Sequence, residues 1–302
     1  MHVAIIIVNW NGKKDTLTCI SSLQTIVTKH QITTVIVDNA STDESIALFR
    51  KLTPRPIIIE NKENFGFAQG NNSGIEYAIK KKVDYILLLN NDTIVDKKII
   101  DQLVFTSERF QNRAIIGGKI YFYPGKEFHS ERYSEKEKGK VFWFAGGVLD
   151  WNNVLPYHCG VDEVDNGQYD SEYEFDFISG CCFFAPTSIF VATNGFDPLY
   201  FAYYEDVDLS VRAKKLGYHL IYSPKAVLWH KNAGSSGGSG SNVQQYYMIR
   251  NQLLFGMRFV SLRAKLALLK QSLIILLKGN KWEKWGVIDY FSGNLGKAKR
   301  NF

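Results

Sequence analysis

The stretch Tyr85-Ile-Leu-Leu-Leu-Asn-Asn-Asp-Thr-Ile-Val-Asp96 is the part of the chain from which a fold can be argued most directly. Its first five residues are apolar or aromatic, which predicts a strand buried on both faces of a sheet. Asn90, Asn91 and Asp92 follow at once, so the strand delivers polar groups to the carboxyl edge of that sheet. In open α/β sheets this edge is where ligands bind. A carboxylate there can bind a hard divalent cation, but Asn and Asp are also favoured at helix starts.

Composition limits the possible partners and the compartment. The chain has 302 residues, enough for a large core, and a moderate formal net charge of +6. Without an arginine-rich block, this charge favours an anionic ligand or a membrane surface over nucleic acid. The four cysteines lack metal-site spacing, which predicts a reduced, cytoplasmic compartment. We expect neither a signal peptide nor a bilayer-spanning segment, because no apolar run has the required flanks or length.

Apolar periodicity predicts strands that alternate with helices over the first 104 residues. Such alternation indicates an α/β fold with a mostly parallel sheet. The predicted strands are residues 3–8, 33–37, 57–59 and 85–89, the predicted helices are residues 14–28 and 73–82, and a Gly- and Asn-rich loop is predicted at 61–72. Later in the chain we predict strands at 115–123, 140–149, 175–185, 218–222 and 226–229, a mobile acidic loop at 162–174 and a helix at 205–217.

Two later segments each have more than one interpretation. Residues 234–241 contain only Gly and Ser, which predicts either a linker or a lid. The tail is predicted to be helical, with leucines and isoleucines among lysines. Such a helix packs on the core, lies on an anionic membrane surface, or forms a C-terminal lid or a homodimer contact. The residues concerned are Leu266, Leu268, Leu269, Leu273, Ile274, Leu276 and Leu277, with Lys265, Lys270 and Lys278.

Several predicted strand ends converge on one sheet edge. Trp10 can stack on a flat base, and the Asp38 carboxylate can accept from a base N–H or a ribose hydroxyl. The loop at 64–72 would let backbone amides approach a sugar or a phosphate closely. Each feature also has a structural explanation: a core position for Trp10, a helix cap for Asp38, and a turn for Gly66.

Two more clusters carry candidate chemistry. At the start of the helix predicted at 205–217, Asp208 can pair with Arg212 one turn on. Glu205 and Asp206 lie outside that pairing, and a carboxylate facing a cleft can take a proton from an acceptor hydroxyl. His230 ends a predicted strand; a lone His is more often structural, but one beside Asp92 can complete a metal site.

The motifs occur together in a specific order. They are VNWN at 8–11, VDNASTD at 37–43, NFGFA at 64–68, GNN at 70–72, LLNNDT at 88–93, GFD at 195–197, EDVDL at 205–209 and WH at 229–230. Over about residues 1–260 this set resembles the family 2 glycosyltransferases, in particular their rhamnosyltransferase-like branch. The resemblance implies a GT-A fold and inverting transfer from a nucleotide-diphosphate sugar with Mg²⁺ or Mn²⁺.

The resemblance also implies roles for individual residues. Asp206, with Glu205 beside it, falls on the general base, and Asp92 and His230 fall on metal contacts. Asn90 departs from the pattern, since many members have Asp there, which leaves fewer charged metal ligands. The implied nucleotide-sugar site is Val8, Trp10, Asp38, Asn64, Gly66, Gln69, Asn72, Asn91 and Asp92, and the implied acceptor site is Gly180, Cys181 and Trp229.

We therefore expect transfer of rhamnose from dTDP-rhamnose to a hydroxyl of a cell-surface glycan or lipid-linked acceptor. A UDP-hexose or UDP-galactofuranose transferase of the same fold is the alternative, and a non-catalytic sugar-nucleotide-binding protein is the alternative from another class. The expected organisation is a nucleotide-sugar half (1–112), an acceptor-binding and catalytic half of the same domain (113–242), and a helical extension (243–302). The expected location is the cytoplasm or the inner face of the cell membrane.

Overall fold

The computed structural model describes residues 1–232, 240–300 and 302. Its strands are β1 (His2–Asn9), β2 (Gln31–Asp38), β3 (Ile57–Glu60), β4 (Tyr85–Leu89), β5 (Thr93–Val95), β6 (Ala114–Phe122), β7 (Phe142–Phe144), β8 (Gly147–Asp150), β9 (Leu155–His158), β10 (Tyr173–Glu174), β11 (Cys182–Pro186) and β12 (His219–His230). Its helices are α1 (Lys13–Leu23), α2 (Ser45–Phe49), α3 (Gly66–Lys80), α4 (Ile99–Arg109), α5 (Thr187–Thr193), α6 (Glu205–Lys215), α7 (Asn242–Phe259), α8 (Leu262–Lys278) and α9 (Lys281–Phe291).

Ten of the described strands form one mixed sheet. The order is β10-β12-β6-β11-β4-β1-β2-β3, with β5 beside β12 and β7 beside β6. β1 is parallel to both β2 and β4, β2 is parallel to β3, and β12 is parallel to β6. β11 runs antiparallel between β4 and β6. The predicted α/β class with a mostly parallel sheet is confirmed, and strands from both predicted halves share this sheet.

The central strand β4 is buried along its whole length, as its unbroken apolar run predicted. Leu87 and Leu89 pack into a core cluster with side chains of α1 and α4. Ile86 and Leu88 pack into a second cluster with side chains of α3 on the other face. Helices therefore cover both faces of the sheet, and the carboxyl edge of the parallel strands is the place left for polar side chains.

The predicted loop at 61–72 is wrong in its second half, because α3 begins at Gly66. Gly66 has a φ of +76°, and its amide donates to the side-chain oxygen of Asn64 at 2.8 Å. The amides of Phe67 and Ala68 both donate to the carbonyl of Phe201, at 2.7 and 3.2 Å. A carbonyl distant in sequence thus caps α3, so a local pattern of Gly and Asn could not indicate where the helix begins.

Other predicted strand boundaries also shift. The strand predicted at 175–185 begins only at Cys182, and the one at 140–149 divides into β7 and β8 around Gly146, whose φ is +123°. The two short strands predicted at 218–222 and 226–229 form one strand, β12, with an irregular register between Ser223 and Val227.

The acidic segment predicted to be a mobile loop at 162–174 contacts the sheet. Asp165 accepts from Nζ of Lys119 at 2.8 Å and from the hydroxyl of Tyr121, both on β6. Lys119 also donates to Asp170 at 2.6 Å. These contacts pair a buried cation with carboxylates, which gives the acidic composition of the segment a structural purpose.

The tail is helical, as predicted. α9 packs against α7, where the hydroxyl of Tyr246 donates to Asp289 at 2.7 Å. None of the helices in the described part of the chain combines the length and apolar character needed to cross a membrane. Residues 234–239 of the segment interpreted as a lid or linker (234–241) lie outside the described residues.

Candidate active site

The polar cluster after β4 does not cap a helix. Asp92 is followed by β5, and α4 begins further on with Lys98 at its cap position. Because β5 pairs with β12, Thr93 lies opposite His230. Oδ1 of Asp92 is 3.0 Å from Nε2 of His230, and both residues are buried. The structure thus brings together two residues that are far apart in sequence and were both predicted to contact a metal.

Trp143, an aromatic residue that the sequence did not single out, packs against His230 of this pair. The ring of Trp143, on β7, lies 4.4 Å from the ring of His230 in an edge-on arrangement, and 4.6 Å from that of His158. Burial lowers the pKa of His158 to about 4, so this ring is neutral at physiological pH. The only sequence signal for Trp143 was the aromatic run at 142–144, which was interpreted as part of the strand predicted at 140–149.

Asp206 lies in the first turn of α6 and is half-buried. Its Oδ2 accepts from the amide of Gly180 at 2.8 Å, and its Oδ1 accepts from the amide of Val207 at 2.8 Å. Burial raises the pKa of Asp206 above the ordinary value, and these two hydrogen bonds oppose that effect by stabilising the carboxylate. The carboxylate is therefore held in one orientation.

Its neighbour Glu205 is in a different environment. Glu205 is buried, and its Oε2 has no hydrogen-bond partner among the described residues. Burial, followed by the charge of Asp206, raises the pKa of Glu205 well above its ordinary range. Asp208, by contrast, forms the expected pair with Arg212 at 2.5 Å. Of these three acids, Asp206 is the one whose carboxylate is both hydrogen-bonded and partly accessible.

The turn at Gly180 and Cys181 connects Asp206 with the end of β4, close to Asp92. While the amide of Gly180 donates to Asp206, the carbonyl of Cys181 accepts from the amide of Asn90 at 3.0 Å. Burial and then the charge of Asp92 raise the pKa of the Cys181 thiol, with a smaller effect from Asp206. Asp92 and Asp206 therefore both lie within electrostatic reach of this turn, at the carboxyl edge of β4.

This geometry gives Gly180 and Cys181 a backbone role at the site. A Cβ on Gly180 would stand 3.0 Å from the ring of Phe67, so the turn also packs closely on α3. The Cys181 thiol is buried and protonated, which makes it unsuited to contact an acceptor. Acceptor contact at these two positions stays a prediction.

A buried chain of hydrogen bonds joins the ends of β1, β2 and β4. Asn9 donates to Oδ2 of Asp38 at 2.7 Å and accepts from the hydroxyl of Thr16 at 2.7 Å. Asn91 donates to the same hydroxyl at 3.0 Å. The amide of Ser41 donates to the other Asp38 oxygen at 2.8 Å. Asp38 thus braces this edge, and its predicted contact with a nucleoside would use the remaining lone pairs of a carboxylate.

Trp10 is not a core residue. It stands at the end of β1 with 40% of its surface exposed, which leaves its ring available for stacking. Val8, one pleat earlier, is half-buried and lies beside α3, where a Cβ on Gly70 would come within 3.0 Å of it. The predicted contacts of these two residues with a donor stay predictions.

The predicted approach of a phosphate to backbone amides near Gly66 is not supported. The amides of Gly66, Phe67 and Ala68 already donate to Asn64 and to the carbonyl of Phe201. The side chain of Asn64 is therefore part of the cap of α3. Any donor contact at this point must come from side chains and not from the first amides of the helix.

Asn72 has a structural role that the resemblance did not indicate. Its amide nitrogen donates to the carbonyl of Phe196 at 2.8 Å, and its oxygen accepts from the amide of Phe196 at 2.9 Å. Both polar ends thus hold the turn at Gly195, and Asn72 is better assigned to this turn than to a donor site. Gln69 is half-buried on the same helix, and its donor contact stays a prediction.

Trp229 faces away from His230. Neighbouring residues of a strand point to opposite faces, so Trp229 leaves β12 on the other side. Its indole N–H donates to the carbonyl of Gly139 at 2.9 Å, and its ring packs near Tyr121. It lines a cavity of about 690 Å³ together with Tyr121, Tyr123, Lys138 and Lys140. If Trp229 contacts an acceptor, it does so from this second surface.

Comparison with known proteins places the chain in a family. Residues 4–161 match the model of glycosyl transferase family 2. The N-acetylglucosaminyl-diphospho-decaprenol L-rhamnosyltransferase of Mycobacterium tuberculosis is 25% identical over 221 residues, which are 70% of this chain and 70% of that protein. The low-salt glycan biosynthesis hexosyltransferase Agl10 of Haloferax volcanii is 24% identical over 255 residues, 83% of this chain and 74% of that protein.

The fold has a solved counterpart. A crystal structure of GalNAc-T7 with UDP, GalNAc and Mn²⁺ superposes with a TM-score of 0.66 at 14% identity, over 98% of this chain and 55% of that chain. Together with the mixed sheet, this similarity shows a GT-A fold. The chain is thus a glycosyltransferase, and it belongs to glycosyl transferase family 2, on its rhamnosyltransferase-like side.

Proposed function

We propose that the enzyme transfers a sugar, with inversion, from a nucleotide-diphosphate donor to a hydroxyl of a cell-surface glycan or lipid-linked acceptor. The donor we favour is dTDP-rhamnose, because a rhamnosyltransferase is among the relatives. One observation carries the proposal: Asp206 and the Asp92–His230 pair lie at the same sheet edge, on either side of the turn at Gly180.

In this proposal Asp206 is the general base. A proton acceptor must be ionised, accessible and held in one orientation, and Asp206 meets these conditions better than the buried Glu205. Asp206 takes the proton from the acceptor hydroxyl as the hydroxyl oxygen attacks the anomeric carbon of the donor sugar. The bond from that carbon to the diphosphate breaks in the same step, so the configuration inverts.

The residues present fit a divalent cation that is held jointly with the donor. Asp92 and His230 offer one carboxylate and one imidazole nitrogen, and no group of three or more His, Cys, Asp or Glu among the described residues forms a metal site by itself. Mg²⁺ is commonly bound by one or two carboxylates together with substrate phosphates. Bound there, Mg²⁺ or Mn²⁺ would stabilise the negative charge of the departing diphosphate.

The tautomer of His230 bears on this fit. Its Nδ1 is buried and has no hydrogen-bond partner among the described residues, while Nε2 faces Asp92. A nitrogen that binds a metal must be free of its proton, so cation binding at Nε2 would place that proton on Nδ1. Among the described residues, Nδ1 of His230 lacks the hydrogen-bond acceptor that usually orients a metal-binding histidine. We therefore expect Asp92 and His230 alone to bind the cation weakly, and to bind it firmly only together with the donor diphosphate.

A UDP-linked hexose or galactofuranose is the second candidate donor, which the hexosyltransferase relative favours. A donor screen separates the two. Release of dTDP or UDP is measured from dTDP-rhamnose, UDP-glucose, UDP-galactose and UDP-galactofuranose, with a short-chain lipid-diphosphate-linked N-acetylglucosamine as acceptor, with and without EDTA. We expect cation-dependent dTDP release; release of UDP alone would select the second candidate. If no nucleotide is released and calorimetry detects no binding of dTDP or UDP, the proposed donor class is wrong.

We also propose that α8 holds the enzyme against an anionic membrane surface, where a lipid-linked acceptor would be presented. Ala264, Leu268 and Ser272 form its buried face. The opposite face is apolar and open to solvent, with Leu262 and Leu277 more than 70% exposed. The exposed apolar side chains are Leu262, Leu266, Leu273, Ile274, Leu276 and Leu277.

The charge of α8 selects the partner for this face. The helix carries Lys265, Lys270 and Lys278 and no carboxylate. Apolar burial at a bilayer surface combined with attraction to anionic lipid fits such a helix. The core does not cover this face in the described structure, and the face covers no other described part of the chain as a lid would. A homodimer contact is the alternative that competes with this proposal.

A further inference from the structure

The loop that leads into α6 has an uncommon backbone. Phe201, Tyr203 and Tyr204 all have positive φ values, of 63°, 69° and 72°. Large aromatic residues rarely adopt this region, because their Cβ atoms crowd the backbone. Such conformations persist only where the surroundings impose them. Glu205 and Asp206 follow this loop directly, so the strained segment determines where the catalytic turn of α6 begins.

Two consecutive residues of α7 hold this loop. The side-chain amide of Asn251 donates to the carbonyls of Tyr200, Ala202 and Tyr203, at 2.9, 2.7 and 2.8 Å. Its two N–H groups are thus shared among three backbone oxygens. Its oxygen accepts from Nε and Nη2 of Arg250, at 3.0 and 2.9 Å. An amide in this position fixes the course of the loop residue by residue.

Arg250 completes the contact and is itself fully buried. Its guanidinium donates to the carbonyls of Leu199, Tyr200 and Gly296, at 3.1, 2.9 and 2.6 Å. None of the ion pairs among the described residues involves it. The guanidinium also lies 4.7 Å from the ring centroid of Tyr247, which helps to stabilise the buried charge. Its planar donors bind two carbonyls of the loop at once, which indicates a positional purpose.

The loop at 199–204 is joined to two parts of the site, the start of α3 and the start of α6. On one side, the carbonyl of Phe201 caps α3 through Phe67 and Ala68. On the other side, Tyr204 begins α6, and Asp206 then reaches the amide of Gly180 at 2.8 Å. A change at 199–204 would therefore move Asp206 relative to the sheet edge that carries Asp92. We call this edge, where the donor is proposed to bind, the donor edge.

We propose that Arg250 and Asn251 are positioning residues for the transfer reaction: they hold the loop at 199–204 so that Asp206 faces the donor edge. The inference rests on the proposed role of Asp206 as base. It makes α7 a working part of the catalytic scaffold, whereas the sequence placed residues 243–302 in a separate extension.

Asn251→Asp tests the proposal with little change in shape. The substitution removes the three amide contacts and directs a carboxylate oxygen at the loop carbonyls, while giving Arg250 a counter-ion. We expect turnover of dTDP-rhamnose to fall about 100-fold, the effect of a displacement of about 1 Å, with its KM within about threefold. Gln252→Leu is the matched control, because it removes one buried amide contact of the same helix, to the carbonyl of Asn153 at 3.0 Å, and turnover should stay within about threefold.

Two further variants keep the outcomes distinct. Arg250→Lys retains the charge but replaces the planar fork by a point donor, and should also reduce turnover while leaving KM near its normal value. Asp206→Asn runs in parallel: if it keeps full turnover, the base assignment is wrong whatever Asn251 does. If Asp206→Asn is inactive and the folded Asn251→Asp enzyme is fully active, only the positioning role is overturned.

Amide hydrogen exchange on the wild-type enzyme provides a test that does not depend on variants. We expect the amides of Phe67, Ala68 and Ala202, which donate to the carbonyls of Phe201 and Tyr200, to exchange as slowly as those of the buried part of α7. In folded Asn251→Asp these three amides should exchange faster, with the later turns of α3 and with β4 unchanged. Fast exchange of these amides in the wild-type enzyme, beside a protected α7, would contradict the proposal even if neither variant folds.

Discussion

The amide of Gly180 donates a 2.8 Å hydrogen bond to Oδ2 of Asp206, and this bond joins the turn before β11 to the first turn of α6. The next residue, Cys181, accepts from Asn90 at the end of β4. Two backbone contacts thus set the distance between the acidic turn of α6 and the edge that carries Asp92. On the turn, both contacts are made by backbone groups, the amide of Gly180 and the carbonyl of Cys181.

Replacing Asp206 by Asn should leave donor binding intact and reduce turnover by about 10²–10⁴-fold, since proton abstraction is lost together with one of the two amide hydrogen bonds to this side chain. Turnover by nucleotide release and binding of dTDP by calorimetry measure the two effects separately. Glu76→Gln neutralises an exposed acid on α3 and serves as the control. Near-normal turnover of a correctly folded Asp206→Asn enzyme would move the base to Glu205 or elsewhere.

Turnover should require a divalent cation, because Asp92 and His230 can hold one against the donor diphosphate. Asp92→Ala should weaken binding of dTDP in Mn²⁺ and leave the residual binding insensitive to EDTA. His230→Ala should show the same change to a smaller extent, since a neutral ligand is lost. Full activity in EDTA after exhaustive dialysis would rule out a metal role for both residues.

The sequence predicted those parts of the site that depend on local pattern. An apolar run ending in Asn90, Asn91 and Asp92 indicates a buried strand with polar groups at its carboxyl edge, and the structure has this arrangement. The chain also predicted the pairing of Asp208 with Arg212, because helix geometry alone brings them together.

The features of the site that the sequence could not indicate depend on contacts between residues that are far apart in the chain. The cap of α3 is a carbonyl from Phe201, and no local pattern encodes it. The ring of Trp143 reaches His230 only because β7 pairs with β6, which in turn pairs with β12. Arg250 and Asn251 were treated as part of an undifferentiated tail, since their buried role exists only once the loop at 199–204 is in place.

Glu205→Gln should stabilise the enzyme at neutral pH. The pKa of Glu205 is raised in the folded state, so the folded protein favours the protonated acid. The stability of the native state is then full below the unfolded pKa of about 4.3 and declines as the pH rises through the folded value. A neutral amide avoids that decline, and we expect a gain of roughly 1 kcal/mol or more at pH 8, or about 2–4 °C in melting temperature.

The sign of this effect is checked by melting curves across pH. The difference between variant and wild type should shrink as the pH falls and vanish near pH 4, where both side chains are neutral. A variant that is less stable than wild type at pH 8 would show that the Glu205 carboxylate is compensated in solution, contrary to its unpartnered oxygen in the described structure.

The membrane proposal is best tested on the exposed face of α8, because removing the tail would damage the fold. α9 packs on α7 through Tyr246 and Asp289, and Arg250 contacts the carbonyl of Gly296. A triple variant, Leu266→Gln, Leu273→Gln and Leu277→Gln, changes only exposed side chains. It should lose binding to vesicles containing anionic lipid, because apolar burial at the surface is removed.

The control for this experiment carries the same kind of change elsewhere. Val191 and Leu216 are also exposed apolar residues, and Val191→Gln with Leu216→Gln should leave vesicle binding unchanged. Wild-type binding should weaken as salt is raised, since attraction between the lysines of α8 and the lipid is screened. Co-sedimentation that is equal with neutral and anionic vesicles, or absent with both, would contradict the proposal. If the wild-type chain sediments as a dimer and the triple variant as a monomer, the exposed face of α8 is a contact between copies and not a membrane surface.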